Sequence, residues 1–155
     1  MTYHISGLAL ETFAHLVEQD DNTLAVKGAV RVTANAKPGF PCRVTLEDAE
    51  PGETLILLNH VSHDVATPYR SSYAIYVRED ATAAAHYEDS VPPVFGGRPL
   101  GLRAFDADGM LKNAALALPG QGDAKIRELF ADDQIAYIHA HNAAHGCFAA
   151  KVERS

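Results

Sequence analysis

Apolar and polar positions alternate along most of this chain with the two-residue period of a strand, and only twice take the wider spacing of a helix. Tyr3 to Leu8 opens as a short strand. Leu10, Phe13, Ala14 and Val17 follow at i, i+3, i+4 and i+7, one face of a helix that Asp20-Asp21-Asn22 ends. Val30, Val32 and Ala34 alternate with Arg31 and Thr33, as in a half-buried strand. Pro38-Gly39-Phe40-Pro41 is a turn cluster that leads into Cys42-Arg43-Val44-Thr45-Leu46, with a second turn at Pro51-Gly52. Thr54–Val61 holds the continuous run Leu55-Ile56-Leu57-Leu58, which predicts a strand buried on both faces at the centre of a sheet. In Ser72–Arg78, Tyr73, Ile75 and Val77 share one face and Ala74, Tyr76 and Arg78 the other. Residues 81–99 are irregular, with Pro92-Pro93, Gly96-Gly97 and Pro99, and read as one long loop. Leu100–Phe105 and Met110–Leu118 flank Asp106-Ala107-Asp108-Gly109 as a hairpin. Asp123 caps a short helix carrying Ile126, Leu129 and Phe130, and Gln134–His141 with Gly146–Val152 forms a terminal hairpin. The pattern predicts an α+β fold: a single domain over residues 1–155, with a mostly antiparallel β-sheet and two or three short helices.

Composition adds bounds. The 155 residues are 47% hydrophobic, enough to bury a core, and carry a formal net charge of −7. That acidic balance argues against nucleic acid and against an anionic membrane surface as partners. The start has neither a basic nor an apolar signal region, and no apolar run is long enough to span a bilayer, so a cytoplasmic location is expected. Cys42 and Cys147 form no CxxC pair, and both thiols are expected to be reduced. Eight histidines are the unusual feature; their protonation would change the net charge steeply near pH 6–7.

Four of the chemistry-bearing residues crowd into Ile138–Cys147. On a strand His139 and His141 project to one face, a common way to place two imidazoles on one metal. A three-residue turn at 142–144 would set His141 opposite His145 and His139 opposite Cys147, all on that face; a two- or four-residue turn would turn Cys147 away. His60 and His63 could add a ligand, and three such donors plus water suit a catalytic zinc or another divalent metal. Asp64 or Glu79 could supply a carboxylate. The alternative is a solvated hairpin tip.

Arginine is the other concentration: Arg43, Arg70, Arg78, Arg98 and Arg103 stand in a stretch without lysine. Arg70, beside Ser71 and Ser72, could hold a small anion, and Arg43 could do the same. Arg78, Arg98 and Arg103 are expected to pair with local acids. Cys42, next to Arg43, could be a nucleophile or a buried packing thiol. Asp106–Gly109 lacks the remaining ligands of a calcium loop, and no glycine pair has the lysine of a phosphate loop.

Phe40-Pro41-Cys42-Arg43, Glu53-Thr54-Leu55-Ile56-Leu57-Leu58-Asn59, Pro68-Tyr69-Arg70-Ser71-Ser72, Ile75-Tyr76-Val77-Arg78-Glu79, His141-Asn142 and Gly146-Cys147 together resemble a bacterial family, the domain of unknown function numbered 1203. The resemblance runs from about Tyr3 to Arg154. It implies a stand-alone domain in which Cys42, Arg43, Arg70, His141, Asn142 and Cys147 match recurrent positions, and it implies no activity. His139 and His145 are outside that pattern. The first expectation is a small-molecule enzyme or sensor with an Arg/His/Cys pocket for a polar or anionic ligand. In it Arg43, Arg70, Ser72 and Asn142 would bind, and Cys42, His141 and Cys147 would react. The alternatives are a non-catalytic interaction domain using the 81–99 loop, with Tyr87 and Phe95 as contacts, and a metal protein using His139, His141 and His145.

Overall fold

The computed structural model describes residues 1–155 as nine strands and three α-helices, an α+β fold. A six-stranded antiparallel sheet has the order β5-β1-β9-β8-β6-β7, from His86–Glu88 (β5), Tyr3–Ser6 (β1), Phe148–Arg154 (β9), Tyr137–Asn142 (β8), Leu100–Phe105 (β6) and Leu111–Ala117 (β7). A second antiparallel sheet has three strands: Val30–Thr33 (β2), Thr54–His63 (β3) and Ser71–Arg78 (β4), with β3 central as its apolar run requires.

One face of the large sheet carries Leu100, Leu102, Ala104, Ile138, Ala140, Ala150 and Val152. It packs on α3 (Gly122–Phe130), which presents Ile126, Leu129 and Phe130 at helical spacing. Burial of each large side chain contributes about 1.5–3 kcal/mol. Asp123 is not the cap of α3; it stands in the first turn, accepts the Tyr3 hydroxyl at 2.6 Å and pairs with Arg127 one turn on. A smaller core of Phe13, Leu16, Leu24, Cys42, Val44, Ile56, Ile75 and Val77 lies under the second sheet. No helix is long and apolar enough to cross a membrane.

Two expected elements differ. The helix predicted from Leu10 breaks into a 3-10 turn (Leu10–Thr12), α1 (Ala14–Val17) and a separate α2 (Asp21–Val26). Asp20 begins α2 rather than ending α1, because its carboxylate accepts the Thr23 N–H at 2.8 Å. The 81–99 segment is not one free loop. Its residues His86–Glu88 pair with β1, and Val94 and Phe95 are buried in the larger core. Phe95 is therefore no contact surface, and Tyr87 packs partly against the same core.

Candidate functional site

The second face of the large sheet meets the small sheet, and the site lies along that seam. The stretch from Pro41 to Asp48 stitches the two together. The Arg43 N–H donates to the Tyr76 carbonyl of β4 at 2.9 Å, while the Arg43 carbonyl accepts from Leu8 beyond β1 at 2.8 Å. Leu46, at φ 54°, closes the tight turn by donating to the Cys42 carbonyl at 3.0 Å. Successive side chains point oppositely in this stretch. Cys42 is sealed in the smaller core, its sulfur accepting the Thr45 and Arg78 N–H groups, both at 3.4 Å. Of the two readings the sequence allows for Cys42, nucleophile or buried packing thiol, this burial and these bonds match the second.

Arg43 turns the other way and is 1% exposed. Its Nη2 lies 3.6 Å from the Cys147 sulfur, and its Nε and Nη1 have no partner. Burial pushes its pKa down, with Cys147 acting in the opposite sense; an arginine stays charged in proteins all the same. The nearby acid, Asp48, is already taken. Burial would raise the Asp48 carboxyl, but the hydrogen bonds of Arg98 and of the Gly39 N–H hold it below its ordinary value. A buried cation without an anion costs several kcal/mol.

Cys147 is the side chain that stands against this guanidinium. The β8–β9 connection turns through Gly146, at φ 77°, whose N–H donates to the Asn142 carbonyl at 2.7 Å. Asn142 Nδ2 lies 3.5 Å from the Cys147 sulfur, so the sulfur accepts from an amide and a guanidinium together. The Asn142 Oδ1 is buried without a partner. These groups line a cavity of about 550 Å³ with Arg98, Tyr76, His145 and the apolar Pro41, Leu57 and Ala74.

Beside it, the strand period places Tyr137, His139 and His141 against the small sheet. His63 and His139 rings are 4.9 Å apart, and the Tyr73 and His141 rings also 4.9 Å apart. Phe105 and Phe148 complete the aromatic wall around His139. The Tyr69 carbonyl only accepts, so His63 Nδ1 donates to it and its Nε2 accepts from the Tyr137 hydroxyl. His141 Nδ1 likewise donates to the Gly146 carbonyl at 2.9 Å. Burial lowers the pKa of His141 to about 4 and that of His139 to about 3, with neighbouring imidazoles and cations adding to the effect. Both rings are neutral at neutral pH.

The structure thus brings together Arg43, Asn142, Cys147 and, behind the turn, His141. It does not bring Arg70 or Ser72. Arg70 is 56% exposed and pairs with Asp64, and Ser72 is exposed on β4. Arg70→Ala is expected to change stability by less than about 0.5 kcal/mol in urea denaturation. The metal set is not assembled either. His139 and His141 share a face, but their rings are 6.5 Å apart and His145 is exposed at the turn. No three His, Cys, Asp or Glu side chains are grouped to hold a metal ion. The hairpin register explains this: a bulge after Ala140 pairs His141 with Phe148, and His139 with Lys151. Residues not foreseen are Tyr73, Tyr76 and Tyr137, and the true partners of two arginines. Arg98 reaches Asp48, and Arg103 donates to the Tyr73 hydroxyl at 2.8 Å, while Asp106 pairs with Lys112.

A family model described as protein of unknown function (DUF1203) matches residues 39–154, a span that includes Arg43, Arg98, Asn142 and Cys147. No curated protein and no solved structure matches the chain.

Proposed function

The chain belongs to the DUF1203 family, and from its own geometry we propose that it binds a small anionic molecule in the cavity above Arg43, next to the Cys147 thiol. The observation that carries this reading is the Arg43 guanidinium, fully buried, with two nitrogens, Nε and Nη1, unpartnered and no carboxylate of its own. A carboxylate or phosphate oxygen would satisfy those donors with charge-assisted bonds. Asn142 and Arg98 stand on the same cavity wall, and the volume of about 550 Å³ suits a metabolite rather than a peptide. His141 is a positioning residue in this reading: as a neutral ring it holds the Gly146 carbonyl and with it the turn that presents Cys147.

Calorimetric titration with inorganic phosphate and with a series of small mono- and dicarboxylates tests the proposal. At least one anion is expected to bind with Kd below about 1 mM, about −4 kcal/mol. Arg43→Gln, shown by circular dichroism to be folded, is expected to weaken it at least about tenfold, the effect of one lost charge-assisted contact. Absence of binding across the series, or equal affinity in the folded variant, would overturn it.

A further inference from the structure

We infer that Cys147 is a site of reversible oxidation by hydroperoxides, a property separate from anion binding although it uses the same cavity. Three observations meet at the sulfur. The Cys147 side chain lines an open cavity and is partly exposed, so a molecule as small as hydrogen peroxide reaches it. Two N–H donors, Arg43 Nη2 at 3.6 Å and Asn142 Nδ2 at 3.5 Å, converge on it, the electropositive and partly exposed setting in which reactive cysteines are found. Arg43 also has unpartnered, buried N–H groups that can receive a new oxygen next to the sulfur.

In the reaction the sulfur attacks one oxygen of the hydroperoxide. An S–O bond forms as the O–O bond breaks, the sulfur loses two electrons to the peroxide, and the departing oxygen takes up the proton from the thiol. The products are a sulfenic acid and water, or an alcohol from an organic hydroperoxide. Arg43 and Asn142 then hold the sulfenic oxygen. Cys42 cannot resolve the product, because it is sealed in the smaller core with its sulfur bonded to two backbone N–H groups. Reversal falls to a low-molecular-weight thiol, which displaces water to give a mixed disulfide that a second such thiol releases.

The test is exposure of the full chain to hydrogen peroxide in an anion-poor amine buffer at pH 7.4, with dimedone as trap and peptide mapping by mass spectrometry. The expected result is a single adduct on Cys147, formed at least about tenfold faster than on free N-acetylcysteine. It disappears in Cys147→Ser. Arg43→Met, verified as folded, reacts about tenfold more slowly than the parent; if that variant does not fold, Asn142→Ala serves in its place with the same direction of change. A Cys147 rate no greater than that of the free thiol, an adduct on Cys42 alone, or a folded variant as fast as the parent overturns the inference. Calorimetry scores the anion reading independently, so a chain that binds anions and resists peroxide, or the reverse, separates the two.

Discussion

Gly7→Ala is expected to destabilise the protein by about 3 kcal/mol or more, the upper range of overpacking effects. A Cβ at Gly7 would lie 1.9 Å from the Val44 carbonyl oxygen and 2.8 Å from its carbon, and both are backbone atoms with no rotamer to escape into. Three strands of chain meet there through main-chain bonds alone. Gly7 N–H donates to Ala85 O at 2.9 Å, Leu8 N–H to Arg43 O at 2.8 Å, and Ala85 N–H to Val44 O at 2.9 Å. A methyl group forces these segments apart, and each buried bond lost adds about 1 kcal/mol. The Arg43 carbonyl belongs to the same junction, so anion affinity falls together with stability. Gly101→Ala is the matched control: its Cβ meets nothing within 4 Å, and the change is expected to be neutral or stabilising by up to about 1 kcal/mol. Urea denaturation of the two variants decides the matter; coincident midpoints for Gly7→Ala and the parent would show that the close approach does not exist.

That junction also marks where the sequence stops being informative. Strands with a regular alternation were legible: β4 shows Tyr73, Ile75 and Val77 against Ala74 and Tyr76, and β3 shows its apolar run, because each pattern reports a face or a centre. The two hairpins were legible because their turns are local. β5 was hidden, since three residues paired at an edge need no alternation and His86–Glu88 takes its partner from Tyr3–Ser6, far back near the start of the chain. The site divided in the same way. Arg43, Asn142 and Cys147 were recognisable as chemistry-bearing residues. Their meeting was not, because Arg43 and Cys147 lie 104 residues apart and a bulge, invisible to a two-residue period, sets which way the turn after β8 faces. Arg70 was as prominent in sequence as Arg43. Only burial separates them, one sealed behind the Cys42 turn and the other in solvent with Asp64.

Acid should unfold this protein earlier than its carboxylates alone would dictate. His139 and His141 have folded-state pKa values lowered to about 3 and about 4 from an ordinary 6.5, in each case chiefly because burial penalises the charged ring. Among the groups around them, His63 from β3, Arg103 from β6, Lys151 from β9 and Arg43 from the site loop add to that penalty, while the Gly146 carbonyl, which accepts from the His141 ring, offsets part of it for His141. Between about pH 6.5 and the folded values, the unfolded chain takes up protons that the folded chain refuses, so stability falls as pH falls. At pH 5 each imidazole has lost about 1.5 units of pH at about 1.4 kcal/mol per unit, together about 4 kcal/mol. Half-buried His60, also lowered by burial, acts in the same sense. Asp48 and Asp123, held below the ordinary carboxylate range by arginines, add their loss only at lower pH, which leaves the interval from 6.5 to 5 to the histidines. Urea denaturation at pH 7.5, 6 and 5 is expected to show the fall. His139→Phe, whose ring enters a wall already made of Phe105, Tyr137 and Phe148, is expected to remove about half of it, since one of the two most strongly shifted imidazoles is gone. A stability that stays level from pH 7.5 to 5, or a variant with the parent's full slope, would mean that these imidazoles are not buried neutral between the sheets.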